Sequence, residues 1–411
     1  MADETKAGVP EKTGDFSPGS AGYDTFLVLT LSVTHFFHDV YSSFLAPLLP
    51  LLIKKLSMSL SEAGFLSTVM QIPALMNPYI GTMADRISVR LFIVLAPGLT
   101  AVSMSLIGLA PNYGVLLLLL FVAGISISLF HVPAPVMISR LSGKKIGKGM
   151  SFFMTGGELA RTLGPLAAVG SVSFFGLEGF YPVMIVGLAA SAWLYVKFRD
   201  VPITVEASQT ASVRKTWREM RFLLLPLTAI LLARGFMHAS MTAFLPTFIK
   251  AETGNLWLAG TALTLFEFSG VVGVLGAGPF SDHFGRKKIL LVSLLGAPIM
   301  LFLFAWLGGW VRFIALLFTG LTILSTTPVM LALVQEHAKG SPSATNGLFM
   351  MISFIARSAI VVLVGFLGDL VGLRNTYFIS SFLGVLGIPF IFMLPKNQHS
   401  TPQPPAVPPA Q

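Results

Sequence analysis

Long apolar runs, separated by short polar turns, recur along the chain from Thr25 to Pro395. A helix that crosses a bilayer needs about 20 apolar residues, and each run is long enough. The pattern therefore predicts an all-α membrane protein with twelve transmembrane helices, which we call spans 1 to 12. The spans are predicted at residues 24–53, 60–84, 91–110, 114–138, 148–170, 178–197, 221–249, 256–280, 287–307, 311–337, 343–368 and 373–394.

Polar stretches divide these spans into two sets of six. The first apolar run, from Phe26 to Ile53, is too long for the apolar core of a signal peptide and indicates span 1. We predict a disordered cytoplasmic N-terminus at 1–22, an N-terminal six-helix bundle at 23–199, a cytoplasmic linker at 200–220, a C-terminal six-helix bundle at 221–395 and a disordered Pro-rich tail at 396–411.

The two sets of spans repeat each other in sequence. His38 and Phe44 of span 1 match His238 and Phe244 of span 7 at an offset of 200 residues. The same kind of match pairs Ala63-Gly64 of span 2 with Ala259-Gly260 of span 8, and Ala160-Arg161 of span 5 with Ala356-Arg357 of span 11. Such internal repeats are typical of transporters built from two parallel halves.

Composition and charge narrow the class of protein. Hydrophobic residues make up 54% of the chain and charged residues 11%, whereas a soluble protein carries about 25% charged residues. The net charge of +9 comes from basic residues in the loops, which is the positive-inside pattern and argues against nucleic-acid binding. We predict a multi-pass protein of the cell (inner) membrane with both termini in the cytoplasm. The chain has no cysteine, which excludes disulfides and thiolate metal sites.

Two loops carry the same short motif. The first, after span 2, contains Gly81, Asp85, Arg86 and Arg90, and the second, after span 8, contains Gly278, Asp282 and Arg286. Both resemble the loop signature of the major facilitator superfamily of transporters. A glycine lets two helices approach closely, and an aspartate can cap a helix N-terminus while it pairs with an arginine. The resemblance implies the major facilitator fold, with two pseudo-symmetric six-helix bundles, and we expect both motifs to act as gates.

A narrower resemblance lies mainly in the N-terminal half. His35-Phe-Phe-His38-Asp39 in span 1, Phe130-His131-Val-Pro133 in span 4 and Met150 to Gly157 in span 5 are similar to the fosmidomycin-resistance family of proton-driven drug exporters. Gly164 and Pro165 of span 5 are similar to a motif of the superfamily's antiporters, and we expect a kink there. The chain departs from the family at His38, where Asn is common, and at Arg161.

Ionisable residues within the spans are candidates for function, because a charge at the bilayer centre costs at least about 2.5 kcal/mol. The resemblance implies that spans 1, 4, 7 and 10 line a central cavity, and that spans 2, 5, 8 and 11 meet between the halves. The candidates for proton coupling are Asp39, Glu158, Glu267 and His38. The candidates for substrate binding are Arg161, Arg357, Arg234, His238, His35 and His131.

Two interpretations of these charges stay open. In one, a carboxylate binds a proton in one conformation and releases it in the other. In the second, Arg161 forms a fixed structural pair with Glu158, three residues before it on the same helix face, or with Glu267. Arg357 has no acid nearby in its own helix, so we expect Asp39 across the bundle to be its partner and Arg357 to anchor an anionic substrate.

The sequence predicts a secondary active transporter: a proton-coupled antiporter that exports a small amphipathic or anionic compound or drug by alternating access. A proton-coupled symporter that imports an organic anion or metabolite is the alternative. The sequence has no Gly-x-x-x-x-Gly-Lys-Ser/Thr stretch, so we expect a proton gradient to supply the energy. We expect no enzymatic activity, no cofactor and no metal, and a monomer whose partners are substrate, protons and membrane lipid.

Overall fold

The computed structural model describes residues 24–77, 80, 89–199, 213–337 and 342–395, and this part of the chain is built from helices. In chain order the helices are Thr25–Ser42, Leu45–Leu56, Leu60–Gln71, Ile72–Met76, Val89–Ser105, Ile107–Leu109, Tyr113–His131, Ala134–Leu141, Gly143–Lys145, Ile146–Phe175, Tyr181–Val183, Met184–Phe198, Val213–Thr253, Leu256–Phe284, Arg286–Trp306, Val311–His337, Pro342–Val371, Leu373–Val385 and Ile388–Met393.

Polar residues between the apolar runs cap the helix starts. The Asp24 carboxylate accepts a hydrogen bond from the Leu27 N–H at 2.9 Å, and Asn112 and Asn255 cap the helices of spans 4 and 8 in the same way. Ser59 and Glu62 form a capping box at the start of span 2. These caps satisfy N–H groups that have no partner within the helix, so the turn residues help to fix where each span begins.

Ten helices in the described part of the chain are long and apolar enough to cross a membrane, and they correspond to the predicted spans other than 2 and 5. Span 5 is the unbroken helix Ile146–Phe175, in which Glu158 and Arg161 lower the hydropathy. Span 2 begins with the helix Leu60–Gln71 and leads into residues outside the described part. Spans 2 and 5 complete two sets of six, and the predicted all-α membrane architecture is confirmed.

Span 7 begins earlier than predicted. Its helix starts at Val213, within the polar stretch that the sequence assigned to the linker. Arg and Lys are good helix formers, so the helix continues past the end of the apolar run. The N-terminal segment 1–22, the linker residues 200–212 and the tail 396–411 lie outside the described residues, and their assignments stay predictions.

The two halves pack their helices in the same pattern. Span 1 packs against span 5, span 2 against span 4 and span 3 against span 6. In the second half, span 7 packs against span 11, span 8 against span 10 and span 9 against span 12. Each pair in one half thus has its counterpart six spans later, which confirms the two pseudo-symmetric bundles that the sequence repeat predicted.

In the described part of the chain the halves meet where span 2 crosses span 11 and where span 5 crosses span 8, and the helix Leu45–Leu56 of span 1 also packs against span 7. Equivalent glycines lie at the two crossings. A Cβ added to Gly64 would lie 2.6 Å from the Val361 carbonyl oxygen, and one added to Gly260 would lie 2.8 Å from the Val169 side chain. The repeated Ala-Gly pair of spans 2 and 8 therefore permits close approach of the two bundles at both crossings.

Polar contacts strengthen the crossing of spans 2 and 11. The Asp369 carboxylate, near the end of span 11, accepts hydrogen bonds from the Leu60 and Ser61 N–H groups at 2.7 and 2.8 Å. Thr68 Oγ1 donates to the Ser358 carbonyl at 2.9 Å. Asp369 thus caps a helix of the other half, and the halves are held together at the end of the bundle where span 2 begins.

Candidate functional site

Three histidines surround one carboxylate in the N-terminal half. Asp39 of span 1 is buried, and His35, one turn before it, places Nε2 3.1 Å from Asp39 Oδ2. His38 Nδ1 lies 2.8 Å from Asp39 Oδ1, and His131 of span 4 places Nε2 3.4 Å from the same oxygen. We call these four residues, His35, His38, Asp39 and His131, the histidine–aspartate cluster.

Two rings of the cluster are fixed by backbone carbonyls. His35 Nδ1 donates to the Phe153 carbonyl at 2.8 Å, and His131 Nδ1 donates to the Ile127 carbonyl at 3.0 Å. A carbonyl oxygen can only accept, so both Nδ1 atoms carry a proton. The Nε2 atoms of these two rings lie 3.3 Å apart and face Asp39.

The third ring, His38, is fixed by a chain of hydroxyl groups. Its Nε2 lies 3.1 Å from Thr100 Oγ1. Thr100 donates its own proton to Ser126 at 2.7 Å, and Ser126 donates to the Ala96 carbonyl at 2.7 Å. Thr100 therefore accepts from His38 Nε2, and His38 Nδ1 faces the Asp39 carboxyl group.

Aromatic rings and a glycine shape the space around the cluster. The His35 ring stacks on Phe153 with centroids 4.0 Å apart, and the His38 ring stacks on Phe130 at 4.5 Å. A Cβ added to Gly157 of span 5 would lie 2.7 Å from His35 Cε1. Gly157 therefore leaves the room that the His35–Asp39 pair occupies.

Two carboxylates and one guanidinium meet where span 5 crosses span 8. Arg161 pairs with Glu158, one turn before it. Arg161 is also close enough to Glu267 of span 8 to interact with it electrostatically, and Glu158 acts on Glu267 in the same way. Half of the Arg161 side chain, 52%, stays accessible. This group therefore carries two acids and one base at the junction of the halves.

The C-terminal half contains a small cationic cavity, open on one side and lined by Leu231, Arg234, Gly235, His238, Ser353, Ala356 and Arg357. Arg234 is buried and donates to the Ile323 carbonyl at 3.2 Å and to the Thr326 and Thr327 hydroxyls. Its Nε is buried without a hydrogen-bond partner. Neither Arg234 nor Arg357 makes an ion pair with a carboxylate in the described part of the chain.

The expected partnership of Arg357 with Asp39 is wrong. The three histidines occupy the Asp39 carboxyl group, whereas the Arg357 guanidinium lies over the Phe354 ring, 5.6 Å from its centroid. Span 11 packs mainly against spans 2 and 7. His238, Arg234 and Arg357 share one cavity, and Arg161 is near enough to act electrostatically on Arg357.

The second loop motif forms an ion-pair network. Arg286 pairs with Asp282 at 2.5 Å and with Glu336 at the end of span 10 at 2.8 Å. A Cβ added to Gly278 would meet no described residue within 4 Å, so the described part of the chain does not show the close approach expected at this glycine. The contacts between the halves at Gly64, Gly260 and Asp369 lie at the opposite end of the bundle.

The first loop motif is described only in part. Gly81, Asp85 and Arg86 lie outside the described residues. Arg90 lies in the first turn of the helix Val89–Ser105 and is half-buried. A gating role for either motif stays a prediction.

The helix of span 5 continues through Pro165. A Cβ added to Gly164 would lie 2.7 Å from Ser43 Cβ and 3.2 Å from the Val40 carbonyl oxygen. Gly164 therefore allows span 5 to approach span 1 closely. The kink expected at Gly164 and Pro165, and its bearing on transport direction, stay predictions.

Several polar contacts could not be found from sequence. Asp369 and Glu336 lie at span ends, where charged residues are common, and neither belongs to a motif. The Glu252 carboxylate accepts hydrogen bonds from Arg312 and Arg374. These contacts join the ends of spans 7, 10 and 12. Each of these contacts links residues at least 50 positions apart, so only the packing of the helices shows the partners.

One part of the histidine–aspartate cluster has the composition of a metal site. The ligand atoms of His35, Asp39 and His131 all lie within 4.8 Å of one another. The sequence predicted no metal, because the ligands come from spans 1 and 4 and do not form a local motif. The absence of a resident metal or cofactor therefore stays a prediction.

Comparison with known proteins gives the family. The model of the Major Facilitator Superfamily matches residues 31–361, with a second match over 258–410. The fosmidomycin resistance protein of Escherichia coli (strain K12) is 25% identical over 385 residues, which cover 90% of this chain and 92% of that protein. The MFS-type transporter YfnC of Bacillus subtilis (strain 168) is 25% identical over 406 residues, which cover 95% and 97%.

A solved structure shows the same fold. The nucleoside transporter NupG superposes with a TM-score of 0.72 at 16% identity, over 90% of this chain and 99% of that one. The family match spans most of the chain, and both bundles with their repeated glycine crossings agree with it. The chain therefore belongs to the major facilitator superfamily of membrane transporters and is not an enzyme.

Proposed function

We propose that this chain is a proton-coupled antiporter that exports a small anionic or amphipathic compound from the cell. The observation that carries the anionic preference is the cavity of the C-terminal half, where Arg234 and Arg357 lie without a carboxylate partner among the described residues. Arg234 is buried, and a buried guanidinium is costly unless a counter-charge approaches it. Arg357 is exposed and faces the same cavity. An anionic group of the substrate supplies that counter-charge.

The chemistry of the cavity suits a carboxylate, phosphate or phosphonate group. A guanidinium donates two parallel hydrogen bonds to such a group, which gives orientation as well as attraction. The apolar remainder of an amphipathic compound has Leu231 and Ala356 to contact. His238 adds a polar ring at the same wall, and a neutral imidazole can donate or accept.

Proton coupling is assigned to the group formed by Glu158, Arg161 and Glu267. One guanidinium can balance the charge of only one carboxylate, so the second acid is balanced when it binds a proton. The group lies where span 5 crosses span 8, and alternating access changes the contact between these two spans. A change in that contact alters the electrostatic balance, which would couple proton binding to conformation.

Export is supported by the relatives and by span 5. The Escherichia coli relative is named for resistance to fosmidomycin, which is a property of that protein and suggests outward transport of a compound. Gly164 and Pro165 are similar to the antiporter motif of the superfamily. We place the protein in the cell (inner) membrane with both termini cytoplasmic, as the distribution of basic residues indicates.

One observation favours a symporter as the second candidate. An anion bound at Arg357 brings a negative charge towards Arg161 and the neighbouring acids, and a negative charge nearby favours the protonated form of a carboxylate. Substrate and proton would then bind together. Antiport requires instead that the two ligands load in different steps of the cycle.

Reconstitution in proteoliposomes tests both candidates. The purified chain is sealed in vesicles with a pH-sensitive dye, and matched anionic, neutral and cationic compounds are added outside. We expect a substrate-driven pH change for anionic compounds alone, with protons moving opposite to the substrate. Protons that move with the substrate indicate symport, and a pH change driven only by neutral or cationic compounds would contradict the proposal.

A further inference from the structure

The strongest cluster of metal-ligating side chains lies in the N-terminal half, away from the cationic cavity. His35 Nε2 lies 3.1 Å from Asp39 Oδ2 and 3.3 Å from His131 Nε2. His131 Nε2 lies 3.4 Å from Asp39 Oδ1. Two imidazoles and one carboxylate therefore point their ligand atoms at one small region of space.

The Nδ1 atoms of His35 and His131 already have hydrogen-bond partners. His35 Nδ1 donates to the Phe153 carbonyl and His131 Nδ1 donates to the Ile127 carbonyl, at 2.8 and 3.0 Å. Metal-ligating histidines almost always donate their second nitrogen to a carbonyl or carboxylate in this way, which fixes the ring and directs the Nε2 lone pair at the metal. Both rings are thus held in the form that binds a cation.

The separations of the ligand atoms fit a tetrahedral ion. Metal–ligand bonds of about 2.0 to 2.1 Å in a tetrahedral zinc site place neighbouring ligand atoms about 3.3 Å apart. The two Nε2 atoms of the cluster are 3.3 Å apart. The carboxylate presents Oδ2 to His35 Nε2 at 3.1 Å and Oδ1 to His131 Nε2 at 3.4 Å, so each imidazole faces a different oxygen of Asp39. An ion at the centre would meet all three residues without a large movement of any helix.

The carboxylate is supported from its other side. His38 Nδ1 contacts Asp39 Oδ1 at 2.8 Å, and Thr100 holds His38 Nε2 at 3.1 Å. When His38 carries a proton on Nδ1 as well as on Nε2, it donates to Asp39 Oδ1 and orients the carboxylate, which makes it a positioning residue. Gly157 completes the arrangement, because a side chain at this position would collide with His35.

The cluster is open on one side and its charge suits a cation. His35 is buried, whereas 38% of the His131 side chain is exposed, so one side of the cluster is not covered by protein. Arg161 acts electrostatically on His131 and Asp39, and its ion pair with Glu158 offsets that positive charge. The Asp39 carboxylate is left as the nearest negative charge for an incoming ion.

We propose that His35, Asp39 and His131 bind one divalent transition-metal ion of the zinc class, with a fourth ligand position open on the exposed side of His131. Two imidazoles and one carboxylate suit Zn²⁺ and Co²⁺, whereas Mg²⁺ and Ca²⁺ prefer oxygen ligands alone. Three protein ligands with an open position are typical of zinc sites that exchange a water or a second ligand. The inference rests on spans 1 and 4 and is independent of the proposed substrate.

Metal titration of the purified full chain tests this proposal. The protein is prepared without a polyhistidine tag, stripped with a chelator and kept in nanodiscs. Co²⁺ binding is followed by its visible absorption, which is intense for tetrahedral and weak for octahedral coordination, and Zn²⁺ affinity is measured by competition with a chromophoric chelator. We expect one ion per chain with a tetrahedral Co²⁺ spectrum that Zn²⁺ abolishes.

Variants separate this site from surface histidines. We expect His131→Ala and Asp39→Asn each to lower Zn²⁺ affinity at least about 100-fold, and His38→Ala to lower it about 10- to 100-fold, as for other residues that orient ligands. His283→Ala, an exposed histidine at the end of span 8, is the matched control and should bind as the wild type does.

Size-exclusion profiles and circular dichroism establish whether each variant is folded. If His131→Ala does not fold, His131→Asn is used in its place. An ion count of zero in the wild type would overturn the proposal. Wild-type affinity in a folded His131 variant, or loss of binding in His283→Ala, would overturn it as well.

Discussion

The guanidinium of Arg357 lies over the ring of Phe354, three residues before it in span 11. The equivalent position in span 5 holds Glu158, which pairs with Arg161. The sequence repeat makes the two arginines counterparts at an offset of 196 residues, yet only one of them has a carboxylate partner in its own helix. The pseudo-symmetric halves therefore differ at this pair of positions: Arg161 has an acid beside it, whereas Arg357 lines a cavity without a carboxylate partner among the described residues.

Neutralising Glu267 should uncouple transport from protons. In Glu267→Gln the group at the crossing of spans 5 and 8 keeps one carboxylate for Arg161 and loses the acid that would take up a proton. We expect uphill transport driven by a proton gradient to be abolished, while exchange of labelled for unlabelled substrate across the membrane continues.

Both activities are measured in the same proteoliposomes, with Glu219→Gln, an exposed acid at the start of span 7, as the control. A Glu267→Gln variant that accumulates substrate at the wild-type rate would show that the coupling proton binds elsewhere.

Closing the space beside His35 should destabilise the protein. A Cβ at Gly157 would lie 2.7 Å from His35 Cε1, and overpacking of this kind costs about 1 to 3 kcal/mol. We expect Gly157→Ala to lower the thermal unfolding midpoint. The matched control is Gly170→Ala in the same helix, where the nearest atom of Trp257 would be 3.6 Å away.

Gly170→Ala should be neutral or stabilising, since alanine is the better helix former by up to about 1 kcal/mol. Equal midpoints for the two variants would mean that span 5 is not tightly packed against the histidine–aspartate cluster.

Much of the fold could be predicted from sequence, because the bilayer restricts the length and the polarity of the helices that cross it. Each crossing of the bilayer needs a long apolar helix, and the apolar runs together with their repeat gave the span order and the two bundles. The equivalence of Gly64 and Gly260 was also visible in the repeat. Pairing between helices follows no such rule, so Asp369 against Ser61 and Glu336 against Arg286 appeared only in three dimensions.

The candidate site, like the fold, could be predicted from sequence only in part. The free-energy cost of placing a charge within the membrane identified Asp39, Glu158 and Arg161 as candidates from sequence. The i, i+3 spacing predicted that Glu158 pairs with Arg161. The partner of Asp39 was assigned to the wrong half of the protein. His131, 92 positions away, completes its shell through a contact that depends on how spans 1 and 4 cross.

Removing the cap between the halves should favour the opposite conformation. Asp369→Ala deletes hydrogen bonds to the Leu60 and Ser61 N–H groups, and loss of a helix cap costs about 0.5 to 2 kcal/mol. A change of 1 to 2 kcal/mol shifts a two-state equilibrium roughly 5- to 30-fold. We expect the halves to separate more often at this end.

The chain has no cysteine, so a single Ser358→Cys reporter between spans 2 and 11 can be labelled with a membrane-impermeant maleimide. Labelling should be faster in the Asp369→Ala background, and Asn375→Ala, at the same end of the bundle, should leave the rate unchanged. Identical labelling rates in the two backgrounds would show that the cap does not hold this end closed.

Binding of an anionic substrate by Arg357 of the C-terminal half is the central claim. It is tested most directly by measuring substrate binding to the Arg357→Lys variant. Lysine keeps the charge and loses the paired donors of the guanidinium, whose hydrogen bonds to a charged group contribute about 1.5 to 3 kcal/mol. We predict that Kd for an anionic substrate rises about 10-fold or more, by isothermal titration calorimetry in nanodiscs, and that Arg357→Ala raises it further. The Kd of a neutral analogue should stay unchanged, and Arg374→Lys, exposed beside span 12, should bind both compounds as the wild type does. Unaltered binding of the anion by Arg357→Ala would contradict the account.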